Sequence, residues 1–310
     1  MRKNVHLIAQ GKGGVGKTFI AWLMSQYLIG RYGAGVRIFD TDPINQSLRA
    51  YAGLHALFIR LFSNERNIEP GDFDRLMEAA AASAGDMVFD TGASNFVPLY
   101  TYLSNDQADQ VFAATGCNLF IHVPIIGGES RGDCLSRLEI MINHVPNARF
   151  VVWVNNYPSP VFPKGSDPAD SSPGSFDETD VFATYRSRIC GVVELPLLPA
   201  DSTGRTLKLI TRNHLTFDEF DKIGSGGEGL EKLDGVAITL MQKFRARQLK
   251  AQLFGKLGIL FDYFERFHDD KTAVPIIDHP AAEEGVGVFL PGEDKPGAGR
   301  ARSGKGGSEG

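Results

Sequence analysis

Residues 11–18 read GKGGVGKT and follow directly on the apolar run VHLIAQ. No other feature of the chain limits its fold so narrowly. The pattern matches G-x-x-x-x-G-K-[ST], a loop whose backbone N–H groups turn inward around phosphates, and it needs a strand before it and a helix after it. In that frame Gly11, Gly13, Gly14, Val15 and Gly16 wrap the phosphates. Lys17 reaches the β- and γ-phosphates, and Thr18 offers a hydroxyl to Mg²⁺. One lysine suffices for such a loop. Lys12 is a second one, and the phosphate chemistry alone gives it no task.

The rest of the chain repeats the rhythm that the loop demands. VHLIAQ, GVRIFD, DMVFD, NLFIHVPI, ARFVVWVN and CGVVELPLL are short apolar runs rich in Val, Ile and Phe, the signature of strands buried on both faces. Helical stretches such as 16–31 and 129–144 lie between them. Alternating strands and helices predict an α/β fold: a single P-loop NTPase domain with a mostly parallel twisted sheet and helices on both faces. Ligands of such sheets bind at the carboxyl ends of the strands.

The expected domain covers 1–268, with a Pro/Ser-rich surface loop at 156–177, followed at 269–310 by a linker and a Gly-rich tail that buries too little apolar surface to order itself. Within 228–268, Leu253, Phe254, Leu257, Leu260, Phe261 and Phe264 keep helical spacing. The segment also carries Asp262 and Glu265 and has no dense cationic face, so the stripe is expected to pack on the sheet rather than on a membrane.

Charge and cysteine content narrow the function. A formal net charge of −5 over 310 residues gives no general attraction to nucleic acid or anionic lipid, so any such contact needs a local basic patch. Arg205, Lys208 and Arg212, and Lys243, Arg245, Arg247 and Lys250, are the candidates for one. Cys117, Cys134 and Cys190 lie far apart with no C-x-x-C, which fits a reducing compartment and argues against a shared iron–sulfur cluster. The basic amino terminus enters a glycine loop too soon for a signal peptide, and no apolar stretch is long enough to span a bilayer; the expectation is a cytoplasmic protein.

Three carboxylates follow two of the strands in the pattern. GVRIFDTDP ends with Asp40 and Asp42, and DMVFDTGAS carries Asp90 after four apolar-biased residues, where Walker-B strands offer a carboxylate to Mg²⁺. Gly92 is placed to give a backbone N–H to the γ-phosphate and so sense its presence. After VVWV, Asn155, Asn156, Tyr157 and Pro158 stand where GTP-specific loops carry N-K-x-D. Without that aspartate ATP is the expected nucleotide, with Asn155 pairing to the adenine edge.

With these residues in place the chain resembles the deviant Walker-A ATPases of the ParA/MinD family. QGKGGVGKTFIA, DTGASNFVPL, FVVWVNNY and HLTFDEF are more narrowly similar to the TraL-like ATPases encoded in conjugal-transfer regions. The resemblance implies that Lys12 crosses an ATP-dependent homodimer to the partner's phosphates, and that Asp42 orients the attacking water. It also implies that Asp90 is the Walker-B carboxylate and that Asp40 supports Mg²⁺ from behind it. The function implied is a dimerising ATPase switch in conjugal DNA transfer or cargo positioning, with a protein partner from that machinery. A partition-type ATPase that binds DNA directly is the alternative; an iron–sulfur reductase or ATP-dependent ligase on the same fold is a more distant one.

Overall fold

The computed structural model describes residues 3–43, 45–60, 70–83, 85–105, 108–163, 172–224, 232–233, 236–266 and 276–277. Strand β1 (Lys3–Ile8) leads through the glycine loop into helix α1 (Lys17–Tyr32), and β2 (Arg37–Asp40) and β3 (Leu57–Phe58) follow. Next come α2 (Pro70–Ala82), β4 (Met87–Asp90), α3 (Phe96–Asn105), α4 (Ala108–Ala114) and β5 (Cys117–Ile126). The chain continues through α5 (Ser130–His144), β6 (Arg149–Asn155), α6 (Asp180–Tyr185), β7 (Ile189–Leu195), α7 (Thr203–Arg212) and α8 (Phe217–Lys222). A short hairpin, β8 (Lys232–Leu233) with β9 (Val236–Ala237), precedes the long helix α9 (Leu240–Arg266) and strand β10 (Ile276–Ile277).

The sheet has eight strands in the order β10-β7-β6-β5-β1-β4-β2-β3, and every pairing is parallel. The expected α/β architecture is therefore the observed one. The six strands read from the sequence are its interior, and β3 and β10 add two residues to each edge. The strand read as CGVVELPLL stops at Leu195, because Pro196 has no N–H to continue the ladder.

Residue alternation divides the core into two layers. On β6, Phe150, Val152 and Val154 pack with α2 to α5 through Leu76, Leu103, Phe112, Leu138 and Met141. Val151 and Trp153, between them in sequence, face the opposite layer of α1, α7, α8 and α9, where Trp22, Ile210, Phe220, Leu257 and Phe261 are buried. The stripe on α9 packs as expected: Leu253, Leu257, Leu260, Phe261 and Phe264 are all buried, and Phe254 packs against the same layer. Arg31 on α1 ties the far end of α9 by ion pairs to Asp262 (2.8 Å) and Glu265 (3.0 Å).

Polar groups also cross this second layer. His6 on β1 and His122 on β5 meet at 3.0 Å, and the Trp153 indole N–H donates to His122 Nδ1 at 3.0 Å. His122 therefore carries its proton on Nε2 and donates to His6 Nδ1. Burial pushes the His6 imidazole down to about 3, and His122 falls well below its ordinary value for the same reason. Residues 164–171 of the Pro/Ser-rich loop and the tail from 278 onward lie outside the described residues, as does most of the linker before it. Among the described residues, no helix is long and apolar enough to cross a membrane.

Candidate functional site

The carboxyl ends of β1, β2 and β4 lie side by side, and a lattice of threonines and one asparagine laces them. Thr91 donates its hydroxyl to the Ile8 carbonyl at 2.7 Å, Thr41 donates its own to the Asp90 carbonyl at 2.9 Å, and Asn95 Nδ2 donates to the Thr41 carbonyl at 3.1 Å. None of these three was singled out from the sequence. The signal was the Asp-Thr pair repeated in FDTDP and FDTGAS, one hydroxyl after each strand-end carboxylate.

The phosphate loop crosses the end of β1. It turns through left-handed backbone at Gly14 (φ 73°) and Gly16 (φ 95°), conformations that side-chain-bearing residues rarely adopt. Gly16 is then the N-cap of α1, so the positive end of that helix points into the loop. Lys17, only 9% exposed, folds back and donates to the Lys12 carbonyl at 3.1 Å. Burial lowers its pKa, and the carboxylates of Asp90 and Asp42 oppose that shift, so the three groups form one electrostatic cluster.

Asp90 is the most strained charge of the set. It is 3% exposed, and burial pushes its carboxyl up to about 7 against a hydrogen bond from Thr18 and the charge of Lys17. Its Oδ1 is buried without a hydrogen-bond partner. A carboxylate oxygen held dry beside a threonine hydroxyl is a vacancy in bonding that a hard cation or its water shell would fill.

Asp40 behaves differently. Its Oδ1 accepts from the Asp42 N–H at 3.1 Å, and its Oδ2 accepts from the N–H groups of Leu48 (3.0 Å) and Arg49 (3.2 Å). It clamps the segment after β2. Asp42, beyond the clamp, is partly exposed and accepts from the Asn45 N–H at 3.0 Å. Gly92 lies flush against it: a Cβ there would come within 2.8 Å of Asp42 Oδ2.

Asn155 is also held by hydrogen bonds. Its Nδ2 donates to the Val15 carbonyl at 3.0 Å and its Oδ1 accepts from the Tyr157 N–H at 3.2 Å. The amide braces the phosphate loop against the end of β6. Beside it a cavity of about 480 Å³ runs from Gly14, Gly16 and Thr18 past the ends of β6 and β7 to α7 and α9. Its walls are largely apolar, with Phe19, Leu195, Leu198 and Leu253 among them, and among the described residues no Asp or Glu side chain lines it.

Lys12 lies at the outer side of the loop, with its ammonium 3.6 Å from Asp133 on α5 and its side chain 39% exposed. The second basic group expected near the carboxyl end is largely matched by acid: Arg247 pairs with Asp221 and Lys250 with Asp218, while Lys243 donates to the Asp221 carbonyl. Arg205, Lys208 and Arg212 remain exposed along α7. Cys117, Cys134 and Cys190 are all buried free thiols, and among the described residues no group of three or more His, Cys, Asp or Glu is arranged to hold a metal.

No protein-family model matches the chain. Among solved structures, the MinD cell division protein of Aquifex aeolicus aligns with a TM-score of 0.41 at 14% identity, over 83% of this chain and 96% of that one. The signal recognition particle receptor FtsY of Elizabethkingia anophelis aligns with a TM-score of 0.34 at 13% identity, over 49% of this chain and 50% of its own. Sequence relatives reach further. Two Escherichia coli proteins, each described as Protein TraL, are 30% identical over 254 residues, which is 82% of this chain and 96% of each relative. Identity at that level across nearly the whole of each relative places this protein in the TraL family.

Proposed function

We propose that the chain is an ATP-dependent dimerising switch that hydrolyses ATP to ADP and phosphate in the service of conjugal DNA transfer. The observation that carries this reading is the convergence of Lys17, Thr18, Asp42 and Asp90 on one loop, with a buried Asp90 oxygen left unpartnered. Conjugation enters through the TraL relatives and the family resemblance.

The loop N–H groups and Lys17 bind the phosphates of ATP. Thr18 and Asp90 would hold Mg²⁺, which supplies charge neutralisation on the β- and γ-phosphates when bound. Asp42, on a segment fixed by the Asp40 clamp, is placed to orient a water whose oxygen adds to the γ-phosphorus as the bond to the bridging oxygen breaks. The acid-free groove suits a base without the N–H donors of guanine, which supports ATP over GTP.

Lys12 supports the dimer. Its ammonium pairs with Asp133 rather than with the carboxylates of its own site, and an exposed pair of this kind is worth less than about 1 kcal/mol. Releasing it to a partner's phosphates therefore costs little, whereas a cation supplied in trans is worth about 10³–10⁵ in rate. Direct binding of nonspecific DNA is the weaker reading, because α8 already neutralises much of the α9 basic group.

Lys17→Ala is expected to lose nucleotide binding. Lys12→Ala should keep it but lose ATP-dependent dimerisation, and its turnover should fall by about 10³-fold or more. Asp42→Ala should accumulate an ATP-bound dimer on size-exclusion chromatography. Normal turnover by the Lys12 variant would rule out the trans mechanism.

A further inference from the structure

A second cation lies against the phosphate loop, and the reading above leaves it without a role. Arg137 stands on α5 one turn after Asp133 and Cys134, on the side of the helix that faces the loop. Its guanidinium packs so closely on Gly11 that a Cβ there would fall 2.2 Å from Arg137 Nη1. The same guanidinium lies over the Phe96 ring, 5.7 Å from its centroid. Gly11 opens the phosphate loop and its neighbour Lys12 supplies the carbonyl that holds the Lys17 ammonium, so the two cations flank consecutive loop residues. Phe96 is the first residue of α3, directly after the Gly92–Asn95 turn whose glycine abuts Asp42.

Arg137 thus touches the first residue of the phosphate loop and the first residue of α3, which follows the turn that adjoins Asp42. Among the described residues no carboxylate pairs with it. A planar cation held flat by an aromatic ring, with its donors unspent, suits a phosphate oxygen better than a structural anchor does.

We propose that Arg137 binds the terminal phosphate of a nucleoside triphosphate, and that its contact distinguishes triphosphate from diphosphate at this site. The proposal rests on the nucleotide reading above. It gives Gly11 a reason to be glycine beyond loop geometry, since any side chain would displace the guanidinium from the loop. It also adds a cation supplied in cis to the one that Lys12 brings from the partner.

The test is calorimetric titration of the full chain, in the presence of Mg²⁺, with ADP and with the non-hydrolysable triphosphate AMP-PNP. Arg137→Met should weaken AMP-PNP by about tenfold, equivalent to the loss of one charge-assisted contact, and leave ADP within about twofold. If Arg137→Met does not fold, Arg137→Gln keeps a polar head on a shorter, uncharged side chain and is judged by the same ratio. A variant that keeps the wild-type ratio of the two affinities, or that weakens both nucleotides equally, overturns the proposal and makes Arg137 a brace for α3. Wild-type protein that binds neither nucleotide would instead overturn the reading of the site itself.

Discussion

Asp90 shows at the scale of one residue what the site costs the fold. Its carboxyl is raised to about 7 in the native chain but titrates near its ordinary value when unfolded. Between those two values the native state holds the proton that the unfolded state has released, so Asp90 lowers stability progressively as pH rises through that interval, and fully above it. Asp90→Asn removes the buried charge. It should stabilise the nucleotide-free protein at pH 8 by about 2–4 kcal/mol, and by much less at pH 4. The same variant should lose Mg²⁺-dependent turnover. Thermal melts of both proteins at the two pH values check the first statement. Equal shifts at both would show that Asp90 is not a strained charge.

The elements divide into those the sequence made legible and those it did not. Interior strands announce themselves because a strand buried on both faces must be apolar throughout, and β5 and β6 could hardly be anything else. Edge strands of two residues, such as β3 and β10, carry no such signal. The phosphate loop, Asp42 and Asp90 were legible because backbone geometry and strand ends fix their places. Asp40 and Asn155 were legible as polar residues at strand ends, but their work depends on chain that folds back from elsewhere. Asp40 meets the N–H groups of Leu48 and Arg49, and Asn155 meets the carbonyl of Val15.

Contacts between elements yield predictions of their own. Gly92→Ala would drive a methyl group into the Asp42 carboxylate, so turnover should fall sharply while nucleotide binding and circular dichroism hold. The His6–His122–Trp153 chain joins β1, β5 and β6. Trp153→Phe leaves His122 Nδ1 buried without a donor and should cost about 1–3 kcal/mol in denaturant unfolding. Both histidines titrate lower when folded than when unfolded, so their contribution is complete above the ordinary histidine value. It is lost as pH falls below that value, toward about 3 for His6, because the unfolded state takes up protons first.

At the scale of the whole molecule, the site sits at one end of the sheet and is bounded by both helical layers. The phosphate loop and α5 belong to one side; α1, α7 and α9 close the groove on the other. Lys12 lies on the outer side of the phosphate loop, and its only ion pair among the described residues is the exposed one with Asp133. If Lys12 serves a partner's phosphates, as proposed, hydrolysis needs a second subunit, and the direct measurement is ATPase rate per subunit as a function of protein concentration, at saturating ATP and Mg²⁺. The rate should rise with concentration and level off as dimers saturate, with no such rise in Lys12→Ala. A rate per subunit that stays constant down to concentrations where size-exclusion chromatography shows only monomer would contradict it.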